Sequence, residues 1–470
     1  MSALSRHMGG RAGVRLAVCA AALMLGLGAQ AAPKGFEYPA ALQPKLAGLT
    51  PAERAFIDDA VKLEPFGLTP ERLSLELEKR DAAEAKAYVA SLLSVVEESK
   101  FHDGDMGELP LNTEASSFNS GTVLRPAILD ERTRDPGPIS LQRYLHQRTG
   151  IPTFANAPVA VRKEDLVAGK VEVAFVGVPL DMSSGYRDAK HAPTTLRITD
   201  GLVGSDVDTQ LDPTLVLRIA DYGNISIDNM SIERTLGHVR FMIGEMASTG
   251  AVPFIVGGDR ALTYPDVAGV VDILGKGKVA LVSFSAHPDA IADFDHELVD
   301  AIAVGRLLTE GLIEGKNLVQ VGLRGPQAKA ADLQRLSAQG VRYHTMAEVE
   351  KSGWEPVMAK ALKEVAGSAE GVFISFDMSV LDPGDAPGVG RPAPGGLTMR
   401  EATPLVRRLC AETKIVGFEM LDVAPIMDPT YKTAMNANRI MNACLAGIAM
   451  RKEGLTKPGY LAPVSLGAKR

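Results

Sequence analysis

Apolar residues follow two different rhythms along this chain. From about Lys170 onward, short continuous apolar runs alternate with stretches of helical spacing. The runs are 171–178, 215–220, 252–256, 279–284, 318–321, 341–343, 372–376 and 415–418. Runs of this length, spaced by helices, predict parallel strands buried on both faces. The expected fold is therefore α/β: about eight mostly parallel strands in one sheet, with helices on both sides. In such a sheet the chemistry gathers just past the carboxyl ends of the strands.

Upstream the rhythm is helical. Thr50-Pro51-Ala52-Glu53 has the pattern of a capping box with proline at the first helical position. Thr69-Pro70-Glu71 repeats the device. Asp81-Ala82-Ala83-Glu84 opens a third helix, carrying Tyr88, Leu92, Leu93 and Val96 at helical spacing. Residues 101–150 are rich in Gly, Pro, Asp, Asn and Ser, and read as a linker or surface wrap. The expected organisation is a signal segment at 1–31 and a helical extension at 32–100. A linker at 101–150, an α/β domain at 151–455 and a tail at 456–470 complete it.

The first residues change the picture of location. Arg6, Arg11 and Arg15 precede an apolar run from Leu16 to Leu27, and Ala29-Gln30-Ala31 offers a small-x-small cleavage site. The run is short beside the roughly 20 residues of a spanning helix. The chain is expected to be exported, periplasmic or extracellular, with no membrane segment after cleavage. Cleavage removes three Arg and no acid, taking the net charge from −7 to −10. No basic block suits nucleic acid. Of the three cysteines, Cys410 and Cys444 would remain. Both fall in helical stretches and are expected to be buried free thiols, although an oxidising compartment permits one bridge.

The strand-end segments carry the candidate chemistry. After 252–256 comes Gly257-Gly258-Asp259-Arg260, and after 279–284 comes Ser285-Ala286-His287-Pro288-Asp289. Asp377-Met378-Ser379-Val380-Leu381-Asp382-Pro383 follows 372–376, and Glu419-Met420-Leu421-Asp422 follows 415–418. His287 and Asp289, two apart, would share a face, and Asp377 ends another strand. One imidazole and two carboxylates in a cleft suit a divalent ion. An Asp–His hydrogen-bonded pair beside a loop-capping Asp, with no metal, fits the same residues. A serine hydrolase is set aside, because neither Ser285 nor Ser379 lies in a nucleophile elbow.

Over residues 150–450 the sequence resembles the ureohydrolase (arginase and agmatinase) family, nearest its agmatinase-like branch. The segments that carry the resemblance include Gly150-Ile151-Pro152-Thr153-Phe154, Phe175-Val176-Gly177-Val178-Pro179-Leu180-Asp181, Tyr186-Arg187, Ala220-Asp221-Tyr222-Gly223, the strand-end segments above and Glu310-Gly311-Leu312. The resemblance implies a three-layer arginase-like fold, a pair of manganese ions and hydrolysis of a guanidinium carbon with release of urea. It implies six metal ligands. His287, Asp289 and Asp377 match three of them. Arg260, Ser285 and Ser379 stand where a His and two Asp are implied. His296 matches a proton-transfer histidine, with Glu297 replacing the Gly that would follow it. Asp422 matches a substrate-gripping Glu, one methylene shorter, and Arg391 replaces a Thr near the mouth.

Two carboxylates cannot offset two divalent ions, and a bridge that fixes the intermetal spacing is missing. Arg260 brings a charge that does not leave. It is expected to fork to Asp289 and Asp377 in place of metal. Two functional expectations follow. One is a silent ureohydrolase relative: an assembly subunit or ligand binder, in a homo-oligomer (trimer or hexamer) or beside an active paralogue. The other is a guanidine or amidine hydrolase using one ion or an atypical pair.

Overall fold

The computed structural model describes residues 36–63, 66, 68–98, 137–138, 151–182, 188–205, 209–228, 231–289, 300–325, 330–367 and 369–456. The signal segment at 1–31, nearly all of 101–150, Tyr186, Arg187 and His296 lie outside the described residues.

Eight strands form one all-parallel sheet in the order β2-β1-β3-β8-β7-β4-β5-β6. They are β1 (Val173–Gly177), β2 (Ile219–Asn224), β3 (Val252–Val256), β4 (Val279–Phe284), β5 (Leu318–Leu323), β6 (Arg342–Thr345), β7 (Gly371–Asp377) and β8 (Ile415–Leu421). Each apolar run holds a strand, but β2 begins later than its run. Asp212 accepts a hydrogen bond from the Thr214 backbone and Pro213 fixes φ, so Pro213–Val216 turns helical first. β2 then runs on into Asp221, Gly223 and Asn224, polar residues that a sheet edge tolerates.

Strand side chains alternate between two cores. One face carries Phe175, Phe254, Phe418, Phe376 and Phe284, under helices Trp354–Val365, Met399–Glu412 and Lys432–Lys452. Phenylalanine rings step from strand to strand there, with centroids 5.1 Å apart from β1 to β3 and 4.9 Å from β3 to β8. Such contacts add to area burial, and they place the scarce aromatic residues in the middle of the domain. The other face carries Ala174, Val176, Ile255 and Leu281, under helices Ile232–Ser248 and Thr263–Leu274.

Helices Met399–Glu412 and Lys432–Lys452 are joined by a Cys410–Cys444 disulfide. This corrects the expectation of free thiols. Gly447, one turn beyond Cys444, is the local cause: a Cβ there would lie 2.4 Å from the Arg407 carbonyl and 2.6 Å from Cys410 Cβ. Only glycine lets the helices approach closely enough to bring the two sulfurs together.

The upstream helices open as their caps predict. Thr50 and Glu53 exchange backbone and side-chain hydrogen bonds, as do Asp81 and Glu84, and Thr69 caps helix Pro70–Glu78. Tyr38, Leu42, Phe56, Leu73, Leu77 and Val89 are buried among these helices.

Candidate functional site

The carboxyl ends of β3, β4, β7 and β8 bring most of the singled-out residues into one buried cluster. Past β3 the backbone must take positive φ twice, at Gly257 (φ +97) and Gly258 (φ +81). A Cβ on Gly257 would meet Pro193 at 2.5 Å, so the turn admits no side chain. Asp259 then locks the turn, accepting hydrogen bonds from the backbones of Ala261 and Met182. The result is an Arg260 side chain aimed inward and only 2% exposed.

Arg260 Nη1 lies 2.9 and 3.0 Å from the two oxygens of Asp289 and 3.6 Å from Asp377 Oδ2. The expected fork is therefore modified: Asp289 receives hydrogen bonds, while Asp377 stays at ion-pair distance. The reason is that Asp377 is already occupied. Its Oδ2 accepts from the Ser285 hydroxyl at 2.7 Å and the Ser379 hydroxyl at 2.6 Å, and its Oδ1 accepts from the Ser379 backbone at 2.7 Å. Ser285 Oγ in turn accepts from the His287 backbone at 3.0 Å.

His287 and Asp289 do not share a face by strand alternation, because β4 ends at Phe284 and Asp289 has φ +43. The loop places them separately. His287 is buried, and its Nε2 lies 3.3 Å from the Arg391 carbonyl. Donation to that carbonyl assigns the proton to Nε2, leaving Nδ1 with a lone pair and no partner among the described residues. Burial, followed by the charge of Arg260, lowers the His287 pKa to about 4, so the ring is neutral.

Asp422, at φ +60 just past β8, is also buried. Its Oδ1 accepts from the Gly390 backbone at 3.0 Å, and its buried Oδ2 has no hydrogen-bond partner among the described residues. Burial and the nearby charge of Asp377 push its pKa up to about 8. At neutral pH Asp422 is largely a neutral acid, which offers hydrogen bonds but little charge to a guanidinium.

One feature of the cluster went unread in the sequence. Glu419 on β8 and Asp266 on helix Thr263–Leu274 are both fully buried behind the cleft, where Thr263 donates to Glu419 at 2.6 Å. Among the described residues, no fixed donor reaches either Asp266 oxygen. Burial, then the charge of Glu419, pushes the Asp266 pKa well up; burial raises that of Glu419 as well. Acids this far apart in sequence give no local signal; only the packing of the helix on β8 joins them.

Comparison with known proteins gives the arrangement its lineage. A family model described as the arginase family matches residues 171–447. The chain belongs to the arginase family. It is 30% identical over 311 residues to guanidinobutyrase of Pseudomonas aeruginosa, an alignment covering 64% of this chain and 94% of that protein. It is 26% identical over 322 residues to the human mitochondrial guanidino acid hydrolase, covering 67% of this chain and 87% of that one. Among solved structures, a hypothetical agmatinase from Burkholderia thailandensis superposes with a TM-score of 0.59 at 26% identity, covering 68% of this chain and 97% of that chain.

The arginase-family resemblance implies a manganese pair, and the donor set argues against it. His287 Nδ1, buried and without a partner among the described residues, is suited to a metal. Asp289 and Asp377, however, are engaged by a guanidinium, two hydroxyls and a backbone N–H. Among the described residues, no group of three or more His, Cys, Asp and Glu is placed to hold an ion. A divalent ion beside Arg260 would also meet strong repulsion in a buried cleft. The residues do not fit the pair.

Proposed function

We propose that this chain is an exported, catalytically silent member of the arginase family, whose cleft is held shut electrostatically by Arg260 in place of metal. One observation carries the reading: a buried guanidinium within 2.9 Å of Asp289 and 3.6 Å of Asp377. It supplies to the two carboxylates the positive charge that ions would otherwise provide. Ser285 and Ser379 complete the replacement by donating where acids would have coordinated. A largely protonated Asp422 further weakens any grip on a cationic guanidine. The residual role is that of an assembly subunit or ligand binder, in a homo-oligomer or beside an active paralogue.

Export is supported by the charged and apolar start of the chain and by the Cys410–Cys444 bridge, which suits an oxidising compartment. The experiment is metal analysis of the purified protein, combined with urea release from agmatine, arginine and 4-guanidinobutyrate. The expected result is no stoichiometric Mn, Ni or Zn and no turnover. A well-occupied ion pair with turnover overturns the proposal. Arg260→His, Ser285→Asp and Ser379→Asp together are expected to create metal binding; if they do not, the surrounding residues have diverged too.

One observation favours a second reading, a guanidine or amidine hydrolase working with a single ion. It is the bare Nδ1 of His287, buried and without a partner among the described residues. One equivalent of metal lost in His287→Ala, together with urea release, would establish that reading instead.

A further inference from the structure

At the end of the sheet opposite the cleft, a cavity of about 690 Å3 opens beneath the amino ends of β1, β3 and β8. Val171 and Glu172 precede β1, Val252 begins β3 and Ile415 begins β8. Its size suits a small organic ligand. Five cations line it, Lys170, Arg218, Lys414, Arg451 and Lys452, against one carboxylate, Glu172. In a chain with 57 acids and 50 bases, that is a local reversal of charge.

Glu172 does not balance the site. Lys452 Nζ holds its oxygens at 2.8 and 2.9 Å, and Arg218 adds its backbone N–H at 3.0 Å and its guanidinium at 3.5 Å. Other contacts go to neutral carbonyls: Arg218 to Lys170, Lys452 to Val216, and Arg451 to Ala411 and Glu412. These bonds fix the heads of the side chains without cancelling their charge. The ammonium groups of Lys170 and Lys414 are exposed and have no partner among the described residues.

A plainer account is that the cations offset the carboxyl ends of helices Lys163–Ala168, Ile232–Ser248, Met399–Glu412 and Lys432–Lys452, which converge here. Magnitude decides against it as the whole account. Each helix end carries roughly half a negative charge, so all four supply about two. The five cations and single carboxylate exceed that, and the lining stays positive. The floor is different. Leu217 and Ile415 are buried, Val252 and Ile448 half-buried, so an apolar surface lies beneath the charged rim.

We propose that this cavity binds a free organic anion with an apolar body, its phosphate or carboxylate held by Lys170 and Lys414 and its apolar part laid on Leu217, Ile415 and Ile448. The disulfide-bonded Cys410 lies in the wall, so the Cys410–Cys444 bridge ties together two helices that frame the site. The site shares no residue with the Arg260 cluster and stands or falls independently of the function proposed above.

The test is calorimetric titration of the full chain with octyl phosphate, with inorganic phosphate and octyl glucoside as the anionic and apolar halves of the probe. Octyl phosphate is expected to bind saturably and both halves far more weakly. Lys170→Glu with Lys414→Glu should weaken binding about tenfold or more, because two attractive charges become repulsive. Lys170→Gln with Lys414→Gln, closer to the native fold, should weaken it less. Inorganic phosphate binding as tightly as octyl phosphate would overturn the proposal, as would equal binding of octyl glucoside or undiminished binding by the double variants. Binding to phosphatidylglycerol vesicles without binding of soluble octyl phosphate would assign the cations to a membrane surface instead, and would also overturn it.

Discussion

The two ends of the sheet treat charge in opposite ways. At the strand carboxyl ends, the acids of the cleft are matched internally: Asp289 and Asp377 face the charge of Arg260, Asp377 also accepts from two serine hydroxyls and a backbone N–H, and Asp422 largely retains its proton. At the amino ends, cations outnumber the single acid and two lysines are left without partners among the described residues. A buried charge must find its partner within the fold, whereas a charge on an open rim can wait for a ligand. The contrast separates a cleft that has become self-sufficient from a cavity that has not.

The largest expected effect breaks the cleft. Arg260→Ala removes the guanidinium that faces Asp289 and Asp377, and loss of one partner of a buried pair costs about 3–5 kcal/mol. Urea denaturation measures it. Added Mn2+ is expected to recover part of the loss, by restoring positive charge between the two acids. If Arg260→Ala unfolds at the wild-type urea concentration, Arg260 is not the internal counter-ion.

Next comes the bridge in the wall of the basic cavity. Cys410→Ser with Cys444→Ser opens a loop with a sequence separation of 34 residues. The expected cost is about 2–4 kcal/mol, read as a lowered thermal midpoint. Reduction of the native protein should produce a shift of the same sign.

A smaller effect comes from Ser285→Ala, which removes one donor to Asp377 and leaves a buried acceptor less satisfied. The expected loss is about 1–2 kcal/mol, measured against Lys316→Ala, an exposed control on the surface.

The subtlest test is the pH dependence. The Asp422 pKa is raised in the folded state, so the stability this group contributes is complete below its unfolded pKa and is lost as pH rises through about 8. Asp266 and Glu419 are raised too and act with the same sign. Thermal midpoints of the native protein should fall as pH rises from the ordinary carboxylate range to about 8, and Asp422→Asn should flatten that fall. An unchanged slope in Asp422→Asn would show that its carboxyl is ionised in the folded protein, contrary to the geometry described for it. At the amino ends, the lysine variants should leave stability nearly unchanged, since surface substitutions usually shift it by about 0.5 kcal/mol or less.

The sequence by itself determined the α/β class, the eight strand-bearing runs and the residues standing at their carboxyl ends. Apolar runs and helix caps are local signals, and burial on both faces of a parallel strand leaves little freedom in reading them. The resemblance it carries led to the expectation that Arg260, Ser285 and Ser379 stand where metal ligands are implied. Local signals misplaced β2, where Asp212 and Pro213 started a helix inside an apolar run. They also gave His287 and Asp289 a shared strand face that ends too early to exist.

Only the tertiary structure decided that Asp377 spends its hydrogen bonds on two serines, that Gly447 lets Cys410 meet Cys444, and that Asp266 lies against Glu419. The basic cavity belongs to the same class, drawing Lys170, Arg218, Lys414 and Lys452 from four separate stretches of chain. Such meetings depend on strand order and helix packing, which bring together residues whose sequence neighbours carry no trace of the contact.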